Sequence, residues 1–268
     1  MSVRTFVFDL DGVVYRGNDP IPSAVATIKT LGQLGHQVYF FTNNATKSRT
    51  SFVEKLRNMN VITDEDHVMT SAYAAALYLN EQDAGGKTAY AVGEYGLKQE
   101  LSHIGMTLVD DPIGKKVDYV VAGLDRGFTY DKLNKAQQAI LSGAKFIATN
   151  TDSTLPLEAG ALAPGGGSIV AAIQTAAGVE PTVIGKPAMP AIQELLKIAK
   201  AAPKETVMVG DRLETDILVG NRAGTITVFV LTGISTKEEM EAAPLDMKPT
   251  FTVEDLGEML QNPCVMGR

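Results

Sequence analysis

Two aspartates stand two residues apart where an apolar run ends, in the segment FDLDGV at residues 8–13. In a continuing strand, Asp9 and Asp11 would face the same side. Two buried carboxylates repel each other unless a cation lies between them, so the pair indicates a site for a divalent metal. Gly12 permits the tight turn that lets backbone amides approach a phosphate. Taken alone, the segment could equally be an ordinary Asp-x-Asp-Gly turn.

Further polar groups follow two later apolar runs. Thr42, Asn43 and Asn44 precede a predicted helix, where a hydroxyl and amides can donate hydrogen bonds to a phosphoryl group. Lys186 is fixed between a glycine and a proline, and its ammonium could neutralise phosphate charge during transfer. By themselves, a capped turn and a solvated lysine would explain these two segments.

Asp211 and Asp216 form a second acidic pair near the end of the chain. Asp211 follows Gly210 at the end of the apolar run at residues 206–209, and Asp216 lies in the first turn of the next predicted helix. At a strand end, Asp211 suits a metal ligand, whereas a carboxylate at Asp216 is favoured by the helix dipole. Asp216 could equally be only a helix cap.

The elements that must position these residues alternate between short apolar runs and stretches of helical periodicity. The runs predict strands at Thr5–Leu10, Gln37–Thr42, Thr88–Val92, Tyr119–Ala122, Lys145–Thr149, Thr182–Ile184, Thr206–Val209 and Thr225–Leu231. This alternation predicts an α/β fold with a parallel sheet covered on both faces. Ligands of such sheets bind beyond the carboxyl ends of the strands, where the polar groups above are found.

The strands between about Gly85 and Pro181 are followed by fewer such groups. Residues 84–87 and 178–181 have the composition of connectors. We therefore predict an inserted domain at residues 85–181, with residues 1–84 and 182–268 forming the catalytic core.

The charge, the cysteine content and the length of the apolar runs exclude several classes of protein. The 268 residues carry a formal net charge of -7, which disfavours binding to nucleic acid and to anionic lipid. Cys264 is the single cysteine and has no partner for an intrachain disulfide, as expected in a reducing cytosol. No signal-peptide core and no apolar run of about 18 residues is present, so a cytoplasmic protein without a membrane span is expected.

Taken together and in this order, the four motifs resemble those of the haloacid dehalogenase (HAD) superfamily of phosphatases. The Thr42-Asn43-Asn44 motif and the long insertion are similar to the branch that contains p-nitrophenylphosphatase, phosphoglycolate phosphatase, pyridoxal phosphate phosphatase and the nucleotide phosphatase NagD. The resemblance implies a Rossmann-like parallel-sheet core with an inserted α/β cap, and a homodimer through that cap.

The resemblance also implies a magnesium-dependent phosphatase that forms an aspartyl phosphate. Asp9 would be the nucleophile, and Asp11 would protonate the leaving oxygen and then activate water. Magnesium would be held by the Asp9 side chain, the Asp11 carbonyl and Asp211, with Asp216 supporting the metal or the lysine from behind. The residues expected to bind the phosphoryl oxygens are Gly12, Thr42, Asn43, Asn44 and Lys186.

In relatives the cap closes over the leaving group. The Asn150–Pro156 loop is therefore expected to set substrate specificity, through Asp152 and Leu155. The expected substrate is a small phosphate monoester, phosphoglycolate-like or p-nitrophenyl phosphate, with nucleoside monophosphates and sugar phosphates as alternatives. The non-enzyme alternative is a phospho-accepting signalling module, but such modules are one short domain whose acceptor aspartate follows a later strand than the acidic pair.

Overall fold

Strands and helices alternate along the chain, as the sequence pattern predicts. The computed structural model describes residues 3–156 and 161–267. In them the strands are β1 (Thr5–Phe8), β2 (Tyr15–Arg16), β3 (Asp19–Pro20), β4 (Gln37–Thr42), β5 (Val68–Thr70), β6 (Thr88–Val92), β7 (Thr107–Leu108), β8 (Tyr119–Ala122), β9 (Lys145–Ala148), β10 (Thr154–Pro156), β11 (Leu162–Pro164), β12 (Thr182–Val183), β13 (Thr206–Gly210), β14 (Ile226–Val230) and β15 (Phe251–Val253).

The helices of the described residues are α1 (Pro22–Gln33), α2 (Arg49–Asn58), α3 (Ser71–Glu81), α4 (Tyr95–His103), α5 (Tyr130–Leu141), α6 (Gly166–Ala177), α7 (Met189–Ala199), α8 (Leu218–Ala223), α9 (Lys237–Ala242), α10 (Leu256–Met259) and α11 (Pro263–Met266). None of them has the length and apolar character needed to cross a membrane. The chain divides into a first unit, Met1–Thr42, Phe52–Met69 and Ile192–Arg268, and a second unit, Asn43–Ser51 and Thr70–Ala191.

The first unit is built on a six-stranded sheet in the order β15, β14, β13, β1, β4, β5. Strand β1 pairs in parallel with β13 and β4, and β14 pairs in parallel with β13 and β15. Every residue of β1 is buried, as expected of a central strand with helices on both faces. Phe6, Phe8 and Phe40 lie in the core on this sheet. The predicted α/β fold with a parallel sheet is confirmed.

Helix α1 shows why the crossover helices form where they do. Pro22 occupies its first turn, where a missing N–H costs nothing. Ala24, Ile28 and Leu31 are buried at helical spacing, so the helix presents one apolar face. The chain leaves the helix through Gly35, which has a φ of 79°.

The second unit is built on a five-stranded sheet in the order β12, β9, β8, β6, β7. Its pairings are parallel, and helices α5 and α6 contribute to the core that covers it. Strands β10 and β11 form a separate antiparallel pair. The strands of the five-stranded sheet lie between Thr88 and Val183, and the unit itself extends further on both sides. The insertion at residues 85–181 stays a prediction.

The segment Asn43–Ser51 packs against helix α4 within the second unit. The N–H of Gly96 donates to the carbonyl of Thr46 at 3.0 Å. Arg49 donates to the buried carboxylate of Glu100 at 2.9 Å. A Cβ atom at Gly96 would overlap the main chain of Lys47, so the close approach requires glycine.

We expect Gly96→Ala to lower the free energy of unfolding by about 1–3 kcal/mol, because the added methyl group meets backbone that cannot move aside. Gly32→Ala is the matched control, since this glycine also lies in a helix but has open space around its Cβ position. The control should be neutral or stabilise by up to about 1 kcal/mol. Denaturant unfolding of both variants measures the difference, and a Gly96→Ala protein as stable as wild type would contradict the packing.

Candidate active site

Asp9 lies directly after β1, the central strand of the first unit. Its N–H donates to the carbonyl of Val209 at 2.9 Å, which continues the pairing of β1 with β13. The chain then turns, and the carbonyl of Leu10 accepts from the N–H groups of Val14 and Tyr15 at 2.9 and 3.2 Å. Asp9 is therefore held at the carboxyl end of the sheet, where such folds bind ligands.

Asp211 follows β13, the neighbour of β1, and is 1% exposed. Its Oδ2 accepts from the N–H of Ile234 at 2.7 Å, and its carbonyl accepts from the N–H of Ser235 at 3.1 Å. Both donors belong to the loop after β14. Asp211 is thus held by the main chain of the loop that follows β14.

Asp216 lies in a single π-helical turn, Leu213–Ile217, that leads into α8. Its Oδ2 accepts from the N–H of Arg212 at 3.1 Å, and the residue is 1% exposed. The sequence predicts an ordinary first helical turn at this position. Single π turns inside helices recur at functional sites, because they shift a side chain relative to the regular spiral.

The carboxylates of Asp9, Asp211 and Asp216 lie within 4.8 Å of one another. At that separation, each charged pair would repel by roughly 3–4 kcal/mol at the effective dielectric of protein sites. A hard divalent cation bound by carboxylate oxygens removes this repulsion, so the donor set fits such an ion. The Asp11 carboxylate is not part of this three-carboxylate cluster. Asp216, which the sequence analysis placed behind the metal ligands, lies within it.

Two glycines make room for Asp211. Gly12 has a φ of 88°, and a Cβ atom on either Gly12 or Gly233 would overlap the Asp211 carboxylate. Thr232 donates its hydroxyl to the Gly12 carbonyl at 2.7 Å, which joins the two loops. Sequence reasoning found Gly12 but missed Gly233, although the glycine stands just after a predicted strand and the search for strand-end residues could have included it.

Asp11 lies in the turn that follows Asp9 and forms an isolated bridge with Tyr15. The N–H of Gly12 donates to the carbonyl of Tyr15 at 2.8 Å. Tyr15 is fully buried, and burial, together with the nearby carboxylates of Asp11 and Asp9, raises the pKa of its phenol well above the usual value. The Tyr15 hydroxyl therefore stays protonated beside the acidic pair.

A second group of predicted residues comes together in the second unit. Asn43 and Lys186 are 9% and 2% exposed. The Asn43 Oδ1 accepts from the Lys186 N–H at 2.9 Å, and its Nδ2 donates to the Lys186 carbonyl at 2.8 Å. The same Nδ2 donates to the Asp152 carboxylate at 3.0 and 3.1 Å. Three predicted site residues are therefore in direct contact.

The remaining predicted residues are placed as follows. Thr42 is the last residue of β4 and is buried. The Asn44 Oδ1 accepts from the N–H and hydroxyl of Thr46 at 3.0 and 2.7 Å, so it stabilises the turn before α2. Leu155 lies in β10 and packs against the core of the second unit. Their predicted contacts with substrate stay predictions.

Comparison with known proteins decides the family. A family model described as haloacid dehalogenase-like hydrolase matches residues 6–107, and one described as HAD-hydrolase-like matches residues 183–259. An acid sugar phosphatase of Staphylococcus saprophyticus is 38% identical over 260 residues, which cover 97% of this chain and 98% of that protein. The chain belongs to the haloacid dehalogenase-like hydrolase family.

Solved structures of this family share the fold. A p-nitrophenyl phosphatase from Archaeoglobus fulgidus has a TM-score of 0.89 at 33% identity and covers 97% of this chain and 99% of its own. A glycerol phosphate phosphatase from Mycobacterium tuberculosis, in complex with magnesium, has a TM-score of 0.86 at 36% identity and covers 95% of this chain and 75% of its own. The same enzyme was also crystallised with calcium. The predicted family, Rossmann-like core and enzyme class, a phosphoric monoester hydrolase, are confirmed.

We expect Gly233→Ala to raise the divalent-metal concentration needed for half-maximal activity, because the added methyl group displaces the Asp211 carboxylate. The substitution itself removes no acidic residue. Loss of a group that supports a metal ligand typically weakens metal affinity by about 10–100-fold. A metal titration of aryl phosphate hydrolysis measures this, with Gly32→Ala as the control. An unchanged titration in a folded Gly233→Ala protein would show that Asp211 does not bind the metal.

Proposed function

We propose that the protein is a magnesium-dependent phosphatase that hydrolyses small phosphate monoesters through an aspartyl phosphate. The observation that carries the proposal is the clustering of the Asp9 carboxylate with those of Asp211 and Asp216 at the end of a buried parallel sheet. A nucleophile beside a cation site can approach a phosphoryl dianion that it would otherwise repel.

Asp9 attacks phosphorus opposite the leaving oxygen. A bond from phosphorus to the Asp9 carboxylate forms as the bond to the alcohol breaks. Asp11 donates its proton to that alcohol oxygen, and the alkoxide does not accumulate. Asp11 then takes a proton from a water molecule as the water oxygen attacks phosphorus. The bond between phosphorus and Asp9 breaks, and inorganic phosphate leaves.

Asp9, Asp211 and the Asp11 carbonyl would hold magnesium, and the position of Asp216 adds a carboxylate that the resemblance placed behind these ligands. When bound, the ion neutralises charge on the phosphoryl oxygens and on the carboxylates around it. We propose magnesium because a relative was crystallised with this ion and because carboxylate oxygens are its preferred protein ligands.

In this proposal, as the resemblance implies, the phosphoryl oxygens are bound by Lys186, Thr42, Asn44, the main-chain N–H of Asn43 and the backbone at Gly12. The strongest support is for Lys186, a fully buried lysine whose main chain is fixed by Asn43 on both sides. A lysine ammonium in such a place offers a point charge of defined position, which suits a phosphoryl group.

Within small phosphate monoesters, we propose a sugar or polyol phosphate as the natural substrate. The support is the printed activity of two relatives, an acid sugar phosphatase and a glycerol phosphate phosphatase. Phosphoglycolate-like compounds, nucleoside monophosphates and p-nitrophenyl phosphate complete the panel on which phosphate release should be measured. Substrate selection by Leu155 of the second unit stays part of the proposal, whereas Asp152, whose carboxylate accepts from Asn43, is assigned a different role. Residues 157–160, which follow Leu155 and Pro156, lie outside the described chain.

We further propose a cytoplasmic enzyme that forms a homodimer through the inserted domain. The compartment rests on the single cysteine, Cys264, which is exposed and has no partner cysteine in the chain. The dimer rests on the resemblance alone, and the mass of the protein in solution tests it. Polyanion partners are disfavoured by the negative net charge.

Asp9→Asn should reduce kcat by more than roughly a thousandfold on every substrate, because the amide is a poor nucleophile towards phosphorus. The amide has nearly the same shape as the acid, so the fold should be retained. Without divalent metal the melting temperature should not fall, because one of the repelling charges is removed. Steady-state assays on a preparation free of wild-type enzyme check this. Substantial turnover by folded Asp9→Asn protein would remove Asp9 from the reaction.

Asp11→Asn should reduce kcat/KM, which reports on formation of the aspartyl phosphate, by roughly 10²–10⁴-fold for an alkyl phosphate, because the leaving oxygen is no longer protonated. The loss should be smaller for p-nitrophenyl phosphate, whose leaving group is stable as an anion. The ratio of the two losses is the informative quantity. Equal losses on both substrates would argue against Asp11 as the general acid.

A further inference from the structure

The side chain of Asn43 uses both ends of its amide within the second unit. Oδ1 accepts from the N–H of Lys186, and Nδ2 donates to the carbonyl of the same residue. This pair of hydrogen bonds fixes the peptide units on both sides of the Lys186 Cα, and therefore the direction in which the long side chain starts. The remaining hydrogen of Nδ2 is directed at the Asp152 carboxylate.

The Asp152 carboxylate favours the same orientation of the Asn43 amide that the Lys186 main chain requires. A carboxylate only accepts hydrogen bonds, so it requires the NH2 end of the amide to face it. The reversed amide would place Oδ1 against both the Asp152 carboxylate and the Lys186 carbonyl, and its NH2 against an N–H group. Hydrogen bonds to an ionised acceptor are about twice as strong as neutral ones, so Asp152 strengthens the orientation in which Asn43 holds Lys186.

Asp152 is itself held in place by the turn that carries it. The Asn150 Oδ1 accepts from the Asp152 N–H at 3.1 Å, and the Asn150 Nδ2 donates to the Asn43 carbonyl at 2.8 Å. The Asp152 carbonyl accepts from the Gly167 N–H at 2.9 Å. A Cβ atom at Gly165 or Gly167 would overlap the Asp152 carbonyl group, so the glycines that begin α6 allow this close approach.

We propose that Asp152 is a positioning residue that orients Asn43 and, through Asn43, the main chain of Lys186. The inference deepens the proposed function and rests on it, because it takes Lys186 as the lysine that binds the phosphoryl group. It gives Asp152 a different role from the substrate-selecting contact that the sequence predicts. A residue that acts through the phosphate-binding lysine affects every substrate alike, whereas a residue that contacts the leaving group does not.

The test compares Asp152→Ala, Asn43→Ala and the double variant on p-nitrophenyl phosphate, glycerol phosphate and phosphoglycolate. Asp152→Ala should lower kcat/KM by one common factor of roughly 10–100, the range for one lost hydrogen bond to a charged group. Competitive inhibition by inorganic phosphate should weaken in parallel, since this anion has no leaving group for a specificity loop to recognise. Asp152→Asn keeps an oxygen that accepts from Asn43 and should recover part of the loss.

The double variant shows whether Asp152 acts through Asn43 or independently of it. If Asp152 acts through Asn43, its removal in the Asn43→Ala background should have little further effect. Asp110→Ala is the matched control, because it removes an exposed carboxylate from the same unit and should leave both constants unchanged.

A changed order of substrates, additive losses in the double variant, or a lower melting temperature with unchanged kinetics would each overturn the proposal. Lys186→Ala tests the proposed function separately. Wild-type kcat/KM and phosphate inhibition in that variant would show that the lysine does not bind phosphate, whatever the coupling between Asn43 and Asp152.

Discussion

Mutual repulsion among buried carboxylates is the constraint on which the rest of this structure depends. Asp9, Asp211 and Asp216 are brought within 4.8 Å, an arrangement that is unfavourable without a cation. The fold opposes the repulsion with main-chain donors, since the N–H groups of Ile234 and Arg212 bind two of the three carboxylates. A buried parallel sheet gives these loops a rigid base, because the strands before Asp9 and Asp211 are direct neighbours.

The same need for fixed geometry explains the glycines. Gly12 and Gly233 approach Asp211 where no larger residue fits, and Gly165 and Gly167 do the same for the turn that carries Asp152. Gly165 and Gly167 allow main chain to pack against main chain, and Gly12 and Gly233 allow main chain to pack against the Asp211 side chain. Both kinds of contact hold acidic residues more firmly than flexible contacts would.

Much of the fold could be predicted because its central strands are continuous apolar runs, and β1, β4, β8 and β13 begin at the predicted residues. The three-residue strands β5 and β15 lack such a run, and their sheet position comes from tertiary packing. The π turn at Asp216 has no sequence signature. The contacts of Asn43 with Asp152 and Lys186 span 109 and 143 residues, so no local pattern could indicate them.

The proposed reaction requires Asp9 to be the nucleophile that receives the phosphoryl group beside the carboxylate cluster. The most direct measurement is acid quenching of Asp11→Asn protein during turnover of p-nitrophenyl phosphate, followed by peptide mass spectrometry. This variant should accumulate the intermediate, since a good leaving group departs without a proton while hydrolysis still needs the base. The expected result is one added phosphoryl group on Asp9. Turnover with no phosphorylated peptide, or with the group on another residue, would contradict it.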